Sequence, residues 1–325
     1  MGRRRLRNLT LLGGNELAAV EPSVERRTAV AEEFAIPLFA TYEEGLAWGP
    51  EALVVSTPPD AHAEYALDAA RRGLPFFTEA SVVSAGMDEL VDAVRGSASV
   101  AAPSCTMRFH PAVQRIRELI AGGAIGRPLA VVHHVGQYLP DWHPWEDYRT
   151  FYVARRETGA AREIVPFELN WLTALFGKVE SLTGLRGKAS ELEADIDDIY
   201  SSVLLFESGV HCTLVVEVLS RPGVRRARIV GSEGTLEWDW NEKLVRLHST
   251  GDSAWTDYPD PPPIEGPGGE WVAENMYVEE MRAYLEAVAG GTPFPLTVEE
   301  DRYLLRLLEE IERASDDVRA RPAPG

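Results

Sequence analysis

Cysteine is almost missing: Cys105 and Cys212 are the only two in 325 residues. Two cysteines cannot build a disulfide framework, so a reducing compartment is the expected setting. No stretch approaches the 18 or so consecutive apolar residues of a membrane span. Basic charge is in deficit, with 32 Lys plus Arg against 51 Asp plus Glu and a formal net charge of −19. A chain that acidic repels phosphate backbones and anionic lipid, so neither nucleic acid nor a membrane surface is an expected partner. The basic start, Met1 to Arg7, is followed only by Leu9 to Leu12 and then Gly13-Gly14, too short for the apolar core of a secretion signal. Gly2 lacks the Ser or Thr at position 6 that myristoylation favours, since Leu6 stands there. A cytoplasmic protein is expected.

What is present is ordinary globular material, 45% hydrophobic and 26% charged. At roughly 150 residues per domain the length predicts two domains. The first hundred residues alternate. Glu16 to Glu21 reads as a buried strand stopping at Pro22-Ser23, followed by a helix over Val24 to Phe34. Ala52 to Thr57 is a second strand, ended by Pro58-Pro59. Ala61 to Arg72 is an alanine-rich helix closed by Gly73. Leu74 to Thr78, a helix over Met87 to Arg95, and Ser99 to Ala102 continue the pattern. Such alternation predicts a parallel sheet with right-handed crossovers, whose ligands sit at the carboxyl ends of the strands. Glu21, Thr57-Pro58, His62 and Glu79 all fall at those ends. Each alone reads more readily as a solvated strand end or helix cap; in succession they predict a nucleotide site.

One part of that fold is not in the sequence. A dinucleotide site needs a strand and a G-x-G-x-x-G turn about 20 residues before the ribose-binding acid. Gly2 stands at about that distance from Glu21, and Arg3 to Leu12 reads as the helix after the turn. The reading begins at the last glycine of the fingerprint, as though a start codon lay about ten residues too late.

From Cys105 onward the pattern changes. A helix over Ala112 to Ala121, a strand over Leu129 to Val135, an aromatic loop from Gly136 to Ala161 and a helix from Pro166 to Phe176 come first. Six strands of antiparallel character follow: Glu180–Gly184, Ile199–Phe206, His211–Leu219, Arg225–Gly231, Gly234–Trp240 and Lys243–His248. After a Pro/Gly-rich loop over Pro259 to Gly269, helices over Asn275–Ala289 and Val298–Ser315 close the chain. His133 and His134 point to opposite faces of a strand and make no metal site, and no metal is expected. Glu191, Glu193, Asp195, Asp197 and Asp198 lack the glycine and terminal Glu of a calcium loop and read as a solvated turn. Trp238 and Trp240 share a strand face and suggest packing or a dimer surface.

Ser56-Thr-Pro-Pro-Asp-Ala-His62, Arg108-Phe-His-Pro111 and Gly136-Gln-Tyr-Leu-Pro-Asp-Trp-His-Pro-Trp-Glu-Asp-Tyr-Arg149 occur in the order found in the glucose–fructose oxidoreductase / inositol dehydrogenase (Gfo/Idh/MocA) family, which this chain resembles over nearly its whole length. The resemblance implies an incomplete Rossmann-type domain over residues 1–103. It implies an α+β domain with a large open antiparallel sheet over residues 104–325, which binds substrate and associates into a homo-oligomer. It implies NAD or NADP as cofactor and a sugar, sugar nucleotide or related polyol as substrate. Glu21 favours NAD, because an acid hydrogen-bonds a ribose 2′-OH and repels a 2′-phosphate. Gly2, Glu21, Thr57, Pro58, His62 and Glu79 are the implied cofactor contacts.

The chemistry departs from the family pattern. Members carry Glu-Lys-Pro where this chain has Glu79-Ala80-Ser81, and a His and an Asp where it has Phe167 and Asn170. Phe cannot carry a proton, and Asn is no base. The replacements expected from the loop and the next helix are His143, Tyr148 and Glu163 as acid/base groups. Arg149, Tyr152, Arg162, Phe167 and Asn170 are the expected substrate contacts, the arginines suiting a phosphate or carboxylate. Two other functions stay open: a non-catalytic member that binds sugar or dinucleotide or scaffolds a pathway, and a lyase or epimerase in which bound NAD recycles.

Overall fold

The computed structural model describes residues 1–97, 99–266, 269–271 and 274–320. Helix α1 (Gly2–Leu12) leads into β1 (Ala19–Val20), α2 (Val24–Glu33), β2 (Leu38–Phe39), α3 (Tyr42–Ala47), β3 (Leu53–Val55), α4 (His62–Arg72), β4 (Phe76–Thr78), α5 (Met87–Arg95) and β5 (Ala101–Pro103). All the strands pair in parallel, as the alternation predicts, but they form two sheets: β1 with β2, and β3–β4–β5. The local chemistry explains the helix ends. Ser23 caps α2 by accepting the Arg26 N–H, Thr41 and Glu44 form a capping box on α3, and Gly73 closes α4 in the left-handed region that favours glycine. The apolar stripe of α4, Ala66, Ala69 and Ala70, lies against Phe76 and Leu90.

The larger region holds α6 (Pro111–Ala121), β6 (Pro128–Gly136), α7 (Ala160–Phe176), β7 (Val179–Gly187), β8 (Ile199–Phe206), β9 (His211–Glu217), β10 (Val224–Gly231), β11 (Gly234–Asp239), β12 (Leu244–Ser249), β13 (Thr256–Pro259), α8 (Glu274–Val288) and α9 (Val298–Arg319). Eight strands form one sheet in the order β13-β12-β11-β10-β6-β9-β8-β7. Strand alternation sets its two faces. Tyr200, Ser202, Leu204 and Phe206 of β8 are buried, while Ser201 and Val203 face out. Helix α7 lies on the inner face and buries Leu169, Trp171 and Leu172. Fully burying one such side chain is worth about 1.5–3 kcal/mol.

The structure corrects several expectations. The sheet is mixed, not wholly antiparallel, because β6 pairs in parallel with β9. Helix α7 starts at Ala160, not near Pro166; Gly159 marks its start, where a Cβ would meet the Arg155 carbonyl at 2.5 Å. The acidic turn is only half solvated: Asp198 is buried and accepts the Ala189 and Ser190 N–H groups, and Asp197 pairs with Arg156 and Arg186. Strand β13, the β2–α3 segment and a short pairing of Ile264–Gly266 with Gly269–Trp271 were not foreseen. Part of the loop expected over Pro259 to Gly269 lies outside the described residues. Among the described residues no helix is long and apolar enough to cross a membrane.

Candidate active site

The first turn of α1, the segment after β4 and the start of α7 meet at the carboxyl ends of β3 and β4. Glu79, closing β4, accepts Arg5 Nε and Nη2, both at 2.8 Å, and the Ser56 hydroxyl at 2.9 Å. The same Arg5 Nη2 stands 2.8 Å from Glu280 Oε2 on α8. Glu280 also accepts the Ser104 hydroxyl, the Cys105 N–H and the Thr106 hydroxyl. One buried guanidinium thus joins α1, β4 and α8, with the Phe77 ring 4.6 Å away. Burial pushes both carboxyls up. At Glu79 burial is the largest influence, but the Arg5 charge and hydrogen bonds, the Met1 ammonium and the Ser56 hydroxyl together outweigh it and hold the group low; at Glu280 burial wins.

Glu163 lies in the first turn of α7. Its stem is partly exposed, but Oε2 is enclosed and has no hydrogen-bond partner. Oε1 receives the Tyr152 hydroxyl at 3.4 Å. Burial pushes the Glu163 carboxyl up to about 7, and the Tyr152 hydrogen bond only partly opposes it. Burial and the Glu163 charge push the Tyr152 phenol above its ordinary range, so Tyr152 stays a donor at neutral pH. A carboxyl near 7 beside a fixed donor can take up and return a proton. Arg162, the preceding residue, is spent on Glu312 at 2.8 Å and on the Val82 and Glu157 carbonyls, which anchors the start of α7 over the segment after β4.

Ala80, Phe167 and Asn170 do come together, as the family register implies. They line a cavity with room for about one water molecule, bounded also by Ser81, Thr106 and Asp301. Asn170 accepts Arg108 Nε at 2.7 Å. Asp301 is buried, burial pushes its carboxyl up to about 6, and its Oδ2 has no partner. The sequence reading missed both Asp301 and Arg5. A signal for Asp301 existed: it stands with Val298, Leu304, Leu305 and Leu308 on the apolar face of α9, where an acid is out of place.

The loop between β6 and α7 is pinned at its base. The Tyr138 N–H donates to the Ser220 carbonyl, and Arg221 binds Asp141 and covers the Tyr138 ring. His143 is exposed on this loop, with Trp145 and Phe151 edge-on to it at 5.3 and 5.8 Å; partial burial by these rings lowers its imidazole. The Tyr148 hydroxyl accepts the Glu193 N–H, and Arg149 grips Asp147 and Glu193. Among the described residues no hydrogen bond or ion pair links His143, Tyr148 or Arg149 to Glu163.

The strand-end residues are placed as follows. Gly2 opens α1. Glu21 follows β1, its Oε1 accepting the Ser23 N–H at 2.8 Å and its Oε2 lying 3.1 Å from Arg26 Nε. Thr57 Oγ1 is enclosed without a partner, and exposed Pro58 turns the chain. His62 Nε2–H donates to the Thr57 carbonyl at 2.8 Å, and burial lowers its imidazole.

Little more than a turn beyond Glu163, the helix carries a second acid of different character. Glu168 is fully buried and meets His133 Nε2 at 2.7 Å, Trp171 Nε1 at 2.8 Å and Arg225 at 2.8 Å. Burial pushes it up, yet the Arg225 charge and the His133 and Trp171 contacts hold it down at about 2. His133 points inward and His134 outward, as read from the strand period. Trp238 lies in the core, and both it and Trp240 flank His110. Among the described residues no group of three or more His, Cys, Asp or Glu is placed to hold a metal.

The profile of an oxidoreductase family with an NAD-binding Rossmann fold matches residues 1–100, and that of the Gfo/Idh/MocA C-terminal domain matches residues 113–237. A 1,5-anhydro-D-fructose reductase from Ensifer adhaerens is 33% identical over 132 residues, which is 39% of this chain and 40% of that protein's length. An oxidoreductase from Agrobacterium radiobacter, solved with NAD+, L-tartaric acid and magnesium, has TM-score 0.85 at 14% identity, covering 98% of this chain and 94% of its own. Levoglucosan dehydrogenase solved with NADH has TM-score 0.79 at 17% identity, covering 93% and 88%. At such identities the structural likeness speaks for the fold alone. With the two profiles spanning both halves in order, the chain belongs to the Gfo/Idh/MocA oxidoreductase family, whose N-terminal domain is an NAD-binding Rossmann fold.

Proposed function

We propose that this protein is an NAD-dependent oxidoreductase that interconverts a hydroxyl and a carbonyl on a carbohydrate-type small molecule, with Glu163 as the proton acceptor and donor. The observation that carries this reading is the Glu163 carboxyl, raised to about 7, with one oxygen unpartnered and the other receiving the Tyr152 hydroxyl. The relatives named for 1,5-anhydro-D-fructose and for levoglucosan support a sugar-type substrate.

The strand ends fit a dinucleotide, because enclosed Thr57 Oγ1 and Arg5 Nη1 both lack partners there. Glu21 and Thr57 would hold it, with Gly2 and Pro58 shaping the approach, His62 fixing the Thr57 carbonyl and Glu79 fixing Arg5. NAD, when bound, supplies the hydride acceptor. The protein's own share is the proton. During oxidation the substrate hydroxyl gives its proton to Glu163 Oε2, while Tyr152 steadies Oε1. Phe167 and Asn170 wall the neighbouring cavity, and His143, Tyr148 and Arg149 would meet the substrate from the loop.

The test is turnover, followed by NADH absorbance across a panel of sugars, polyols and sugar nucleotides. Glu163→Gln is expected to lower turnover about 10²–10⁴-fold, and the wild-type oxidation rate to rise with pH through about 7. NADH binding without turnover anywhere in the panel overturns this reading. It would favour a second one, a sugar- or dinucleotide-binding member without catalysis, for which the proton-inert Ala80, Phe167 and Asn170 around a one-water cavity speak. Association into a homo-oligomer belongs to the proposal too: Val132, Leu185 and Val203 are exposed on the outer face of the eight-stranded sheet. Sedimentation as a monomer at micromolar concentration overturns that part.

A further inference from the structure

The rings of the β6–α7 loop form one continuous row. Trp145 stands at its outer end, 79% exposed. His143 meets Trp145 edge-on at 5.3 Å and Phe151 at 5.8 Å, and Phe151 meets Tyr152 at 5.8 Å. The Tyr152 hydroxyl then reaches Glu163 Oε1 at 3.4 Å. Exposure falls along the row, from Trp145 and His143 in solvent to half-buried Phe151 and Tyr152. The loop that carries it is pinned: Trp142 Nε1 donates to the Gln137 carbonyl, and Arg221 binds Asp141. A large ring kept bare on a pinned loop loses little freedom when a ligand covers it. An open aromatic face at the far end of a row leading to the proton carrier suits a part of the substrate remote from the reacting carbon.

The charges around the row narrow the chemistry of that part. Each of the loop's three guanidiniums is met by carboxylate: Arg149 by Asp147 and Glu193, Arg155 by Asp60 at 3.6 Å, and Arg156 by Asp195 and Asp197. Turning any of them toward an anionic ligand would leave its acids facing that same anion. Glu146 adds a negative charge beside His143. The other cations that act on His143, the Met1 ammonium and Arg4, come from the start of α1, where Glu79 and Glu163 act on the ammonium. A phosphate or a sugar acid therefore finds no uncompensated cation along the loop, against the sequence expectation for Arg149. A neutral sugar ring needs none. Its C–H face packs against the electron-rich face of an aromatic ring, and its hydroxyls can donate to exposed carboxylates such as Asp147.

We infer that the substrate is a neutral carbohydrate of more than one ring, a glycoside or short oligosaccharide, whose outer ring lies on Trp145 while the reacting ring meets Glu163. The inference deepens the oxidoreductase reading and rests on it for the reacting ring alone.

The experiment uses the full chain with glucose, maltose and maltotriose, and with the corresponding one-, two- and three-ring compounds of galactose and mannose. UDP-glucose and glucuronic acid are the charged probes. Turnover is followed by NADH absorbance, and contact by saturation-transfer NMR titration. In at least one series three rings are expected to be favoured over one by at least about tenfold, in kcat/KM or in Kd. Trp145→Ala is expected to weaken the three-ring compound at least about fivefold more than the one-ring compound, and Trp145→Phe to keep most of the preference. A gap under tenfold in every series, an equal loss for both compounds in Trp145→Ala, or a charged probe used better than every neutral one overturns the inference and leaves the oxidoreductase reading in place. So does a fall in sedimenting mass of Trp145→Ala with the preference unchanged, which makes Trp145 a contact between copies. Trp145-dependent binding of the three-ring compound without NADH formation leaves the inference standing and sinks only the oxidoreductase reading. Neither contact nor turnover with any saccharide overturns both.

Discussion

Glu163 and Glu168 share one helix and little more than one turn, yet their environments drive them apart. Both lose water. Glu168 is met by Arg225, His133 and Trp171 and is held near 2, while Glu163 has a long contact from a neutral phenol and a weaker pull from the Met1 ammonium, and rises to about 7. Desolvation is common to both; a directly paired guanidinium is not. A buried acid with a counter-charge is a fixture of the fold, and one without is a proton carrier. Asp301, where burial outweighs a Ser81 hydrogen bond and the Arg108 charge and one oxygen is unpartnered, falls on the Glu163 side at about 6.

The largest effect that sharpens this contrast is Glu168→Ala. It leaves Arg225 without its counter-charge and His133 Nε2 without its partner, and is expected to cost about 3–5 kcal/mol by urea unfolding. A loss under about 1 kcal/mol would break the comparison. In the wild type the Glu168 contribution is present above the unfolded carboxylate value and is lost as pH falls toward about 2.

Glu163→Gln is expected to act in the opposite sense. Its raised carboxyl favours the fold below the unfolded carboxylate value, and that advantage is lost as pH rises through about 7. Unfolding free energies at pH 8 are therefore expected to be higher in the variant by about 1–3 kcal/mol, with no difference near pH 4. Asp301→Asn should shift stability the same way but less, over a window ending near pH 6. An unchanged pH profile in either variant removes that carboxyl from the proton-carrying class. The smallest effect belongs to Arg149→Ala: its partners Asp147 and Glu193 are solvent-exposed, and thermal unfolding should not move.

The same contrast marks what the sequence could show. Elements defined by local period were legible: the helix over Met87–Arg95 and the strand over Ile199–Phe206 have the expected limits. Two-residue strands such as β2 give no period to read, and Pro166 resembled a helix start although the chain enters α7 earlier, at the tightly packed Gly159. Glu163 was legible as a turn-mate of Phe167. The fixed role of Glu168 was not, because His133 and Arg225 come from strands distant in sequence. Nor was the sequestering of Glu79 by Arg5, which needs α1 folded against β4.

The last two helices do not stay in the second half. Val298 and Leu305 of α9 share an apolar cluster with Ala66 and Phe76, and Met281 and Tyr284 of α8 share another with Leu9, Phe77 and Ala102. The Tyr284 hydroxyl also donates to the Leu53 carbonyl of β3. On the ribosome, then, the nucleotide-binding half emerges first but must wait for the C-terminal helices before its interior closes. With its core shared in this way, it is expected to unfold together with the second half and not ahead of it.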